Sequence, residues 1–412
     1  MKYIDLFCGL GGIRLGFESA LKSLGLVGKC VFSSEIKQHA ITAYKYNFNE
    51  LPKGDITKIE ASTIPDFDFL LAGFPCQAFS YAGKRLGFED TRGNLFFDIA
   101  RILEEKKPQG FLLENVEGIV KHDNGKTLDI IIKILKDLNY KVDYKVLDSK
   151  DFGLAQSRKR IYIFGLINKL ITLSELTPKY SNISDIIEYE VLANETPFIK
   201  KLLKYYTLND IIGKKINDKR GGKYNIHSWD FALKGEITQE QKELLHLLLK
   251  QRRNKKWALV YNIEWMDGMP LTIQMIAEFY NNKNLKELLD DLVKKGYLAY
   301  EHPKKKQGSA RVYDTDKPKG YNIITGKLSF EYSKILDPND IAPTLVSTDV
   351  MRLGIPVSNG IRGLTIREGL RLFGFPESYK LDFLSSKDAF DLLGNTVCIP
   401  VIEYIARHLI KG

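Results

Sequence analysis

The chain is poor in cysteine, with four residues at positions 8, 30, 76 and 398. No two of them form a C-x-x-C pair, so the spacing of a zinc site is missing, and no metal is expected. The chain also lacks any run approaching about 18 apolar residues, the length that a membrane span needs. Its first residues, MKYIDLFCGLGG, have no signal-peptide pattern and read as a strand followed by a glycine loop. An intracellular setting is therefore expected, and a reducing compartment argues against disulfides. Carboxylates are in deficit, with 51 Asp and Glu against 61 Lys and Arg, a net charge of +10. That balance suggests a polyanionic partner, although a solvated lysine-rich surface would give the same count. The clusters say more than the total: KQRRNKK at 250–256, with Arg252 and Arg253, and KKKQGSAR at 304–311.

What is present is an ordinary globular composition, 44% hydrophobic and 27% charged, in 412 residues, enough for two or three domains. The first 170 or so residues alternate short apolar runs with amphipathic stretches: KYIDLF, IRLGFESALKSLG, KCVFSSE, IKQHAITAYKYNF, FDFLLAG and onward to RIYIFGL. This β-α rhythm with apolar strands predicts an α/β fold whose mostly parallel sheet is covered on both faces. The rhythm stops between about 170 and 335, and the last residues, IPVIEYIARHL, read as a helix.

DLFCGLGGIRLGF places Gly9, Gly11, Gly12 and Gly16 between a strand and a helix, where glycine permits a tight turn and close approach of a ligand. The spacing departs from G-x-G-x-x-G, so a dinucleotide is not implied. Glu35, at the end of the second strand, has the spacing of an acid that accepts hydrogen bonds from ribose hydroxyls. Asp55 follows the next helix, where an adenine edge would lie. The other reading is a glycine turn chosen only for strand–helix packing.

GFPCQAFS, residues 73–80, puts Cys76 just beyond the carboxyl end of the strand FDFLLAG, the edge at which open α/β sheets bind ligands. Cys76 is either a packing residue or a reactive thiol. The strand ending in LLENV brings Glu114 and Asn115 to a strand end, and QSRKR at 156–160 offers Arg158 and Arg160. One thiol, one carboxylate and two guanidinium groups can converge there; an ordinary salt bridge beside a filler cysteine is the alternative.

Together these segments resemble the DNA cytosine carbon-5 methyltransferases. DLFCGLGG is similar to that family's S-adenosylmethionine loop, GFPCQAFS to its Pro-Cys nucleophile segment, ENVEG to its Glu-Asn-Val and QSRKR to its Gln-x-Arg-x-Arg. RGLTIREGLRLFGFP at 362–376 and LLGNTVCIP at 392–400 resemble its two C-terminal motifs. The resemblance implies a Rossmann-like S-adenosylmethionine-dependent sheet with an inserted, smaller target-recognition domain. It implies Cys76 as nucleophile, with Glu114, Arg158 and Arg160 around the base. It implies cofactor contacts from Phe7, Gly9, Leu10, Gly12, Glu35, Asp55, Ile56, Pro75, Leu95, Asn395 and Val397. DNA contacts are expected from Gln77, Ser80, Lys84 and Arg92, joined by Arg252 and Arg253 of the basic cluster. The implied enzyme is a cytoplasmic, nucleoid-associated bacterial monomer acting on a flipped-out cytosine in duplex DNA, with a companion restriction endonuclease not required for binding. An RNA cytosine methyltransferase on the same scaffold is the alternative.

The domains expected are 1–170, catalytic and cofactor-binding; 171–345, target recognition; 346–390, the end of the small domain and a return linker; and 391–412, a helix completing the catalytic domain. Within the middle, 269–315 has two short helical runs, a strand-like GYLAYE and a basic tail, the outline of a winged helix-turn-helix.

Overall fold

The computed structural model describes residues 1–74, 95–263, 268–307, 310–325, 330–347 and 349–412. They fall into two compact units, Met1–Glu188 with Pro338–Met351 and Leu364–Gly412, and Tyr189–Asp337 with Arg352–Gly363. The first unit begins β1 (Lys2–Leu6), α1 (Gly12–Ser23), β2 (Lys29–Ser34), α2 (Gln38–Phe48), β3 (Phe69–Gly73), α3 (Leu95–Lys106), β4 (Gly110–Val116), α4 (Lys126–Asp137), β5 (Lys141–Asp148) and β6 (Lys159–Leu166). The six strands form one sheet in the order β2-β1-β3-β4-β6-β5. Pairs β1–β2, β1–β3 and β3–β4 are parallel, whereas β6 runs antiparallel to both of its neighbours. The strands β1, β3 and β4 are buried almost throughout, because helices cover both faces. β5 departs from the expectation of apolar strands covered on both faces. It is an edge strand, and Tyr144 and Val146 are exposed on it.

The second unit continues with α5 (Pro197–Tyr205), α6 (Leu208–Ile211), β7 (Lys215–Ile216), β8 (Asn225–Ile226), α7 (Gln239–Gln251), α8 (Lys255–Val260), α9 (Ile273–Ala277) and α10 (Leu285–Lys294). Its strands follow: β9 (Leu298–Glu301), β10 (Lys304–Gln307), β11 (Ala310–Tyr313), β12 (Gly320–Ile323), β13 (Lys334–Ile335), β14 (Leu353–Val357) and β15 (Gly360–Gly363). One core gathers Phe198, Leu202, Ile211, Ile216, Phe231 and Ile335 under a sheet ordered β15-β14-β13-β7-β8. A second core packs α7, α9 and α10 against β9 and β12 through Leu244, Leu248, Ile276, Leu289, Leu292, Leu298 and Tyr321. β9 pairs antiparallel with β12, Leu271 bridges to Tyr321, and β10–β11 is a separate hairpin. This module extends beyond 269–315, because α7 supplies four buried leucines to its core and β12 is the partner of β9.

The first unit resumes in Pro338–Met351 and then in α11 (Ile366–Arg371), α12 (Ser386–Asn395) and α13 (Ile399–Lys411). The boundaries differ from 170 and 345–390 for a physical reason: hydrogen bonds stitch these segments to one another and to the rest of the first unit. Gly153 N–H donates to Lys179 O (2.9 Å), Ile183 N–H to Asp340 O (3.0 Å), and Tyr379 Oη to the Leu10 carbonyl (2.7 Å). Ser386–Lys411 is long and apolar enough to span a membrane by composition, but most of that stretch is buried inside the unit. α13 lies against α1, with Ser19 Oγ donating to Glu403 at 2.8 Å.

That helix contact rests on Gly16. A Cβ there would fall 2.5 Å from Ile402 Cβ and 2.9 Å from Ile399 O. Gly16→Ala should therefore cost about 1–3 kcal/mol in overpacking, read as a fall of several degrees in Tm. Gly118→Ala, with no atom within 4 Å of the new methyl, should melt within about a degree of the unaltered chain. Equal melting of the two variants would disprove the close α1–α13 packing.

Candidate active site

The carboxyl ends of β1, β2, β3 and β4, together with the start of β6 and the turn between α12 and α13, enclose a cavity of about 620 Å³. The turn after β1 forms its floor. Phe7 has a left-handed backbone (φ 54°), an uncommon state for a side-chain-bearing residue, which turns the chain sharply into the glycine loop. Gly12 is held against the return segment so tightly that a Cβ would lie 2.9 Å from Val397 Cγ2 and 3.0 Å from Thr396 Oγ1. Glu35 spans the loop: Oε2 accepts Gly9 N–H at 2.9 Å, and Oε1 accepts Ile36 and Lys37 N–H at 2.8 and 2.9 Å. Phe7, Gly9, Leu10, Gly12, Glu35, Leu95, Asn395 and Val397 all face this cavity. Asp55 and Ile56 do not: Asp55 caps a short turn by accepting from Thr57 N and Oγ1, and Ile56 is a core residue.

The same cavity holds a charged cluster. Glu114 is buried at the end of β4, and Arg160 Nε lies 3.2 Å from its Oε1. Burial raises the Glu114 pKa above the usual carboxylate range, and Arg160 and Arg158 oppose that shift. Arg158 reaches the cavity too, but its guanidinium is committed: Nη1 donates to Leu345 O (2.9 Å) and Nη2 to Gly394 O (3.1 Å). Burial, then the neighbouring Arg160, lowers its pKa.

Four features were not read from the sequence as parts of the site. Asn115 Nδ2 donates to Phe74 O at 2.9 Å, pinning the carbonyl next to Pro75 and Cys76. Asp5 is 1% exposed on the cavity wall, accepts from Tyr44 Oη at 3.2 Å, and has its pKa pushed up by burial to about 8. Lys37, in an ion pair with Asp391, also faces the cavity. Gln156 donates to Leu372 O at 3.0 Å and accepts Leu345 N–H at 3.0 Å, holding the chain on either side of the site. The quoted motifs ENV and QSRKR contained the Asn and the Gln. Pro75, Cys76, Gln77, Ser80, Lys84 and Arg92 lie outside the described residues.

Of the two arginines of the 250–256 cluster, Arg252 is not a surface cation. It is 2% exposed, donates from Nη1 to Asn322 Oδ1 at 2.8 Å, and lies against Gly268, where a Cβ would meet its Cζ at 2.7 Å. It follows Leu245 and Leu248 on the buried stripe of α7 at helical spacing, which draws it into the core. Arg253 is half-buried.

The family model described as C-5 cytosine-specific DNA methylase matches residues 1–411. The chain is 55% identical to the type II methyltransferase M.NlaIV of Neisseria lactamica, covering 100% of this chain and 99% of that one. It is 53% identical to the type II methyltransferase M.NgoBV of Neisseria gonorrhoeae, with the same coverage. Among solved structures, the Entamoeba histolytica methyltransferase EhMeth shares the fold with a TM-score of 0.54 at 15% identity, over 100% of this chain and 98% of that one.

Arg252→Ala should cost about 2–4 kcal/mol, because it empties a buried site and takes away the donor to Asn322 Oδ1. Thermal melting checks it, with Lys255→Ala, an exposed neighbour, expected to stay within about 0.5 kcal/mol. A variant that melts like the unaltered chain would return Arg252 to the surface.

Proposed function

Because this chain belongs to the C-5 cytosine-specific DNA methylase family, we propose that it methylates carbon 5 of a flipped-out cytosine in duplex DNA through a covalent adduct on Cys76. Its full-length relatives bear the name type II methyltransferase, and the reading extends to the modification half of a restriction-modification system in the cytoplasm. The family description names DNA, and the RNA alternative is dropped. The observation that carries the reading is convergence: the glycine loop, Glu35, the Glu114–Arg160 pair and the Asn395 turn share one cavity, and Asn115 fixes the chain leading into Cys76.

S-adenosylmethionine supplies an electrophilic methyl group when bound. The residues fit it: the glycine loop at Gly9 and Gly12 lines the cavity with backbone, packed closely against Val397, and Glu35 offers an acceptor at the end of β2 for ribose hydroxyls. Carbon 5 of cytosine is a weak nucleophile. Addition of the Cys76 thiolate to carbon 6 makes the ring enamine-like, and carbon 5 then takes the methyl group. A thiolate is favoured by guanidinium charge, a part that this reading gives to the arginines of QSRKR. Glu114 gives its proton to ring nitrogen 3 as charge builds on the base, a role that its raised pKa suits. Loss of the carbon-5 proton then expels Cys76 as thiolate, ring nitrogen 3 returns its proton to Glu114, and the aromatic ring is restored. Extraction of the base from the duplex costs a few kcal/mol in stacking and pairing.

Cys76→Ser should abolish transfer from tritiated S-adenosylmethionine while DNA binding persists; more than about a tenth of the rate surviving would remove Cys76 as nucleophile. Bisulfite sequencing of a host expressing the chain identifies the methylated cytosine. A duplex carrying 5-fluorocytosine at that position should then give a band resistant to denaturation, because fluorine does not leave as a cation.

Glu114 must hold a proton to act, so its contribution is present below its raised pKa and is lost as pH rises through it. Glu114→Gln should lower the rate about 10²–10⁴-fold and erase that alkaline fall. An alkaline fall that survives in the variant belongs to another group.

A further inference from the structure

The second unit carries the outline of a winged helix, and in helix-turn-helix proteins the second helix is the usual reader of the groove. Here that helix, α10, is electrostatically unsuited to it. Its exposed residues are Lys286, Glu287, Asp290 and Lys294, two cations against two carboxylates. Lys286 is spent on Asp290 at 3.1 Å, and Tyr321 Oη also donates to Asp290 at 2.7 Å. Those bonds lower the Asp290 pKa, so the carboxylate stays ionised where a phosphate would approach.

The β10–β11 hairpin is the opposite case. Between Lys304 and Tyr313 the sequence has three lysines, an arginine and no acid. All of β10 is exposed, and no residue of either strand belongs to the core that packs α7, α9 and α10. The register pairs Lys304 with Tyr313 and Lys306 with Arg311. Directly opposed residues share a face, as do residues two apart on a strand, so Lys304, Lys306, Arg311 and Tyr313 lie on one side. Lys304 Nζ sits 4.9 Å from the Tyr313 ring centroid on that side. The other side is used for structure: Lys305 bonds Asp314 at 2.9 Å, and Asp314 N–H closes the hairpin base on Pro303 O at 2.8 Å. Lys306 opposite Arg311 is a like-charge pair that weakens a free hairpin. An anion lying across both removes that repulsion.

Resting on the reading of duplex DNA as substrate, we propose that the hairpin face formed by Lys304, Lys306 and Arg311, and not helix α10, seats on the DNA phosphate backbone. Such contacts fix position and carry no sequence information. The test uses the full chain and a random-sequence 30-base-pair duplex, with affinity followed by anisotropy between 50 and 200 mM salt. The triple variant Lys304→Gln, Lys306→Gln, Arg311→Gln should reduce the slope of log K against log salt by about 2–3, near 0.9 per lost contact. The helix variant Lys286→Gln, Lys294→Gln should leave the slope unchanged. Melting of the wing variant with the unaltered chain confirms its fold, and bisulfite sequencing should find the same methylated site. An unchanged slope in the wing variant, an equal loss from the helix variant, or a changed site overturns the proposal. The 5-fluorocytosine adduct of the unaltered chain reports the catalytic reading separately, and stands or falls without the wing.

Discussion

Arg158 puts a positive charge where water hardly reaches, 3% exposed, and spends it on the carbonyls of Leu345 and Gly394. An unpaired cation in that setting would cost several kcal/mol. The fold therefore requires residues nearly 190 and more than 230 positions away to come to it. Gln156 and Ser157 repeat the device with Leu345, Leu372 and Ala342. Once these segments are drawn in, α12 and α13 follow, Val397 closes on Gly12, and the cavity acquires its last wall. A pocket assembled from the two ends of a chain thus rests on a polar knot just before β6 together with the apolar packing of α13 on α1.

The chemistry draws on the same charge balance. Glu114 and Arg160 form a close pair, yet burial still holds the Glu114 proton more tightly than water would. Such a carboxyl keeps its proton to higher pH than an exposed glutamate does. Arg158 is tied down by carbonyls, whereas Arg160 pairs with Glu114.

Local patterns made much of this readable. The strands from β1 to β6 and the helices between them follow short apolar runs and amphipathic stretches, and the glycine loop and Glu35 follow from spacing along one β-α-β stretch. Contacts at long range were hidden. Nothing near Gln156 announces that its amide will meet Leu372, and nothing near Tyr379 points to Leu10. The reversal of β6 was not legible either, since direction leaves no mark on a strand's composition. Arg252 illustrates a different reason: its charge suggests the surface, whereas helical spacing from Leu245 and Leu248 places it inward.

The second unit is not one continuous stretch. Besides 189–337 it owns Arg352–Gly363, whose strands β14 and β15 extend the sheet through β13 to β7 and β8. The chain therefore leaves and re-enters the first unit twice. A lineage that acquires a new version of this unit by recombination at one pair of breakpoints keeps the old β14 and β15, and must pair the old β14 with a foreign β13. Inheritance of the unit as an interchangeable cassette demands four crossovers, or two flanking everything from 189 to 363. In the second case residues 338–351, with the carbonyl that Arg158 holds, travel along with it.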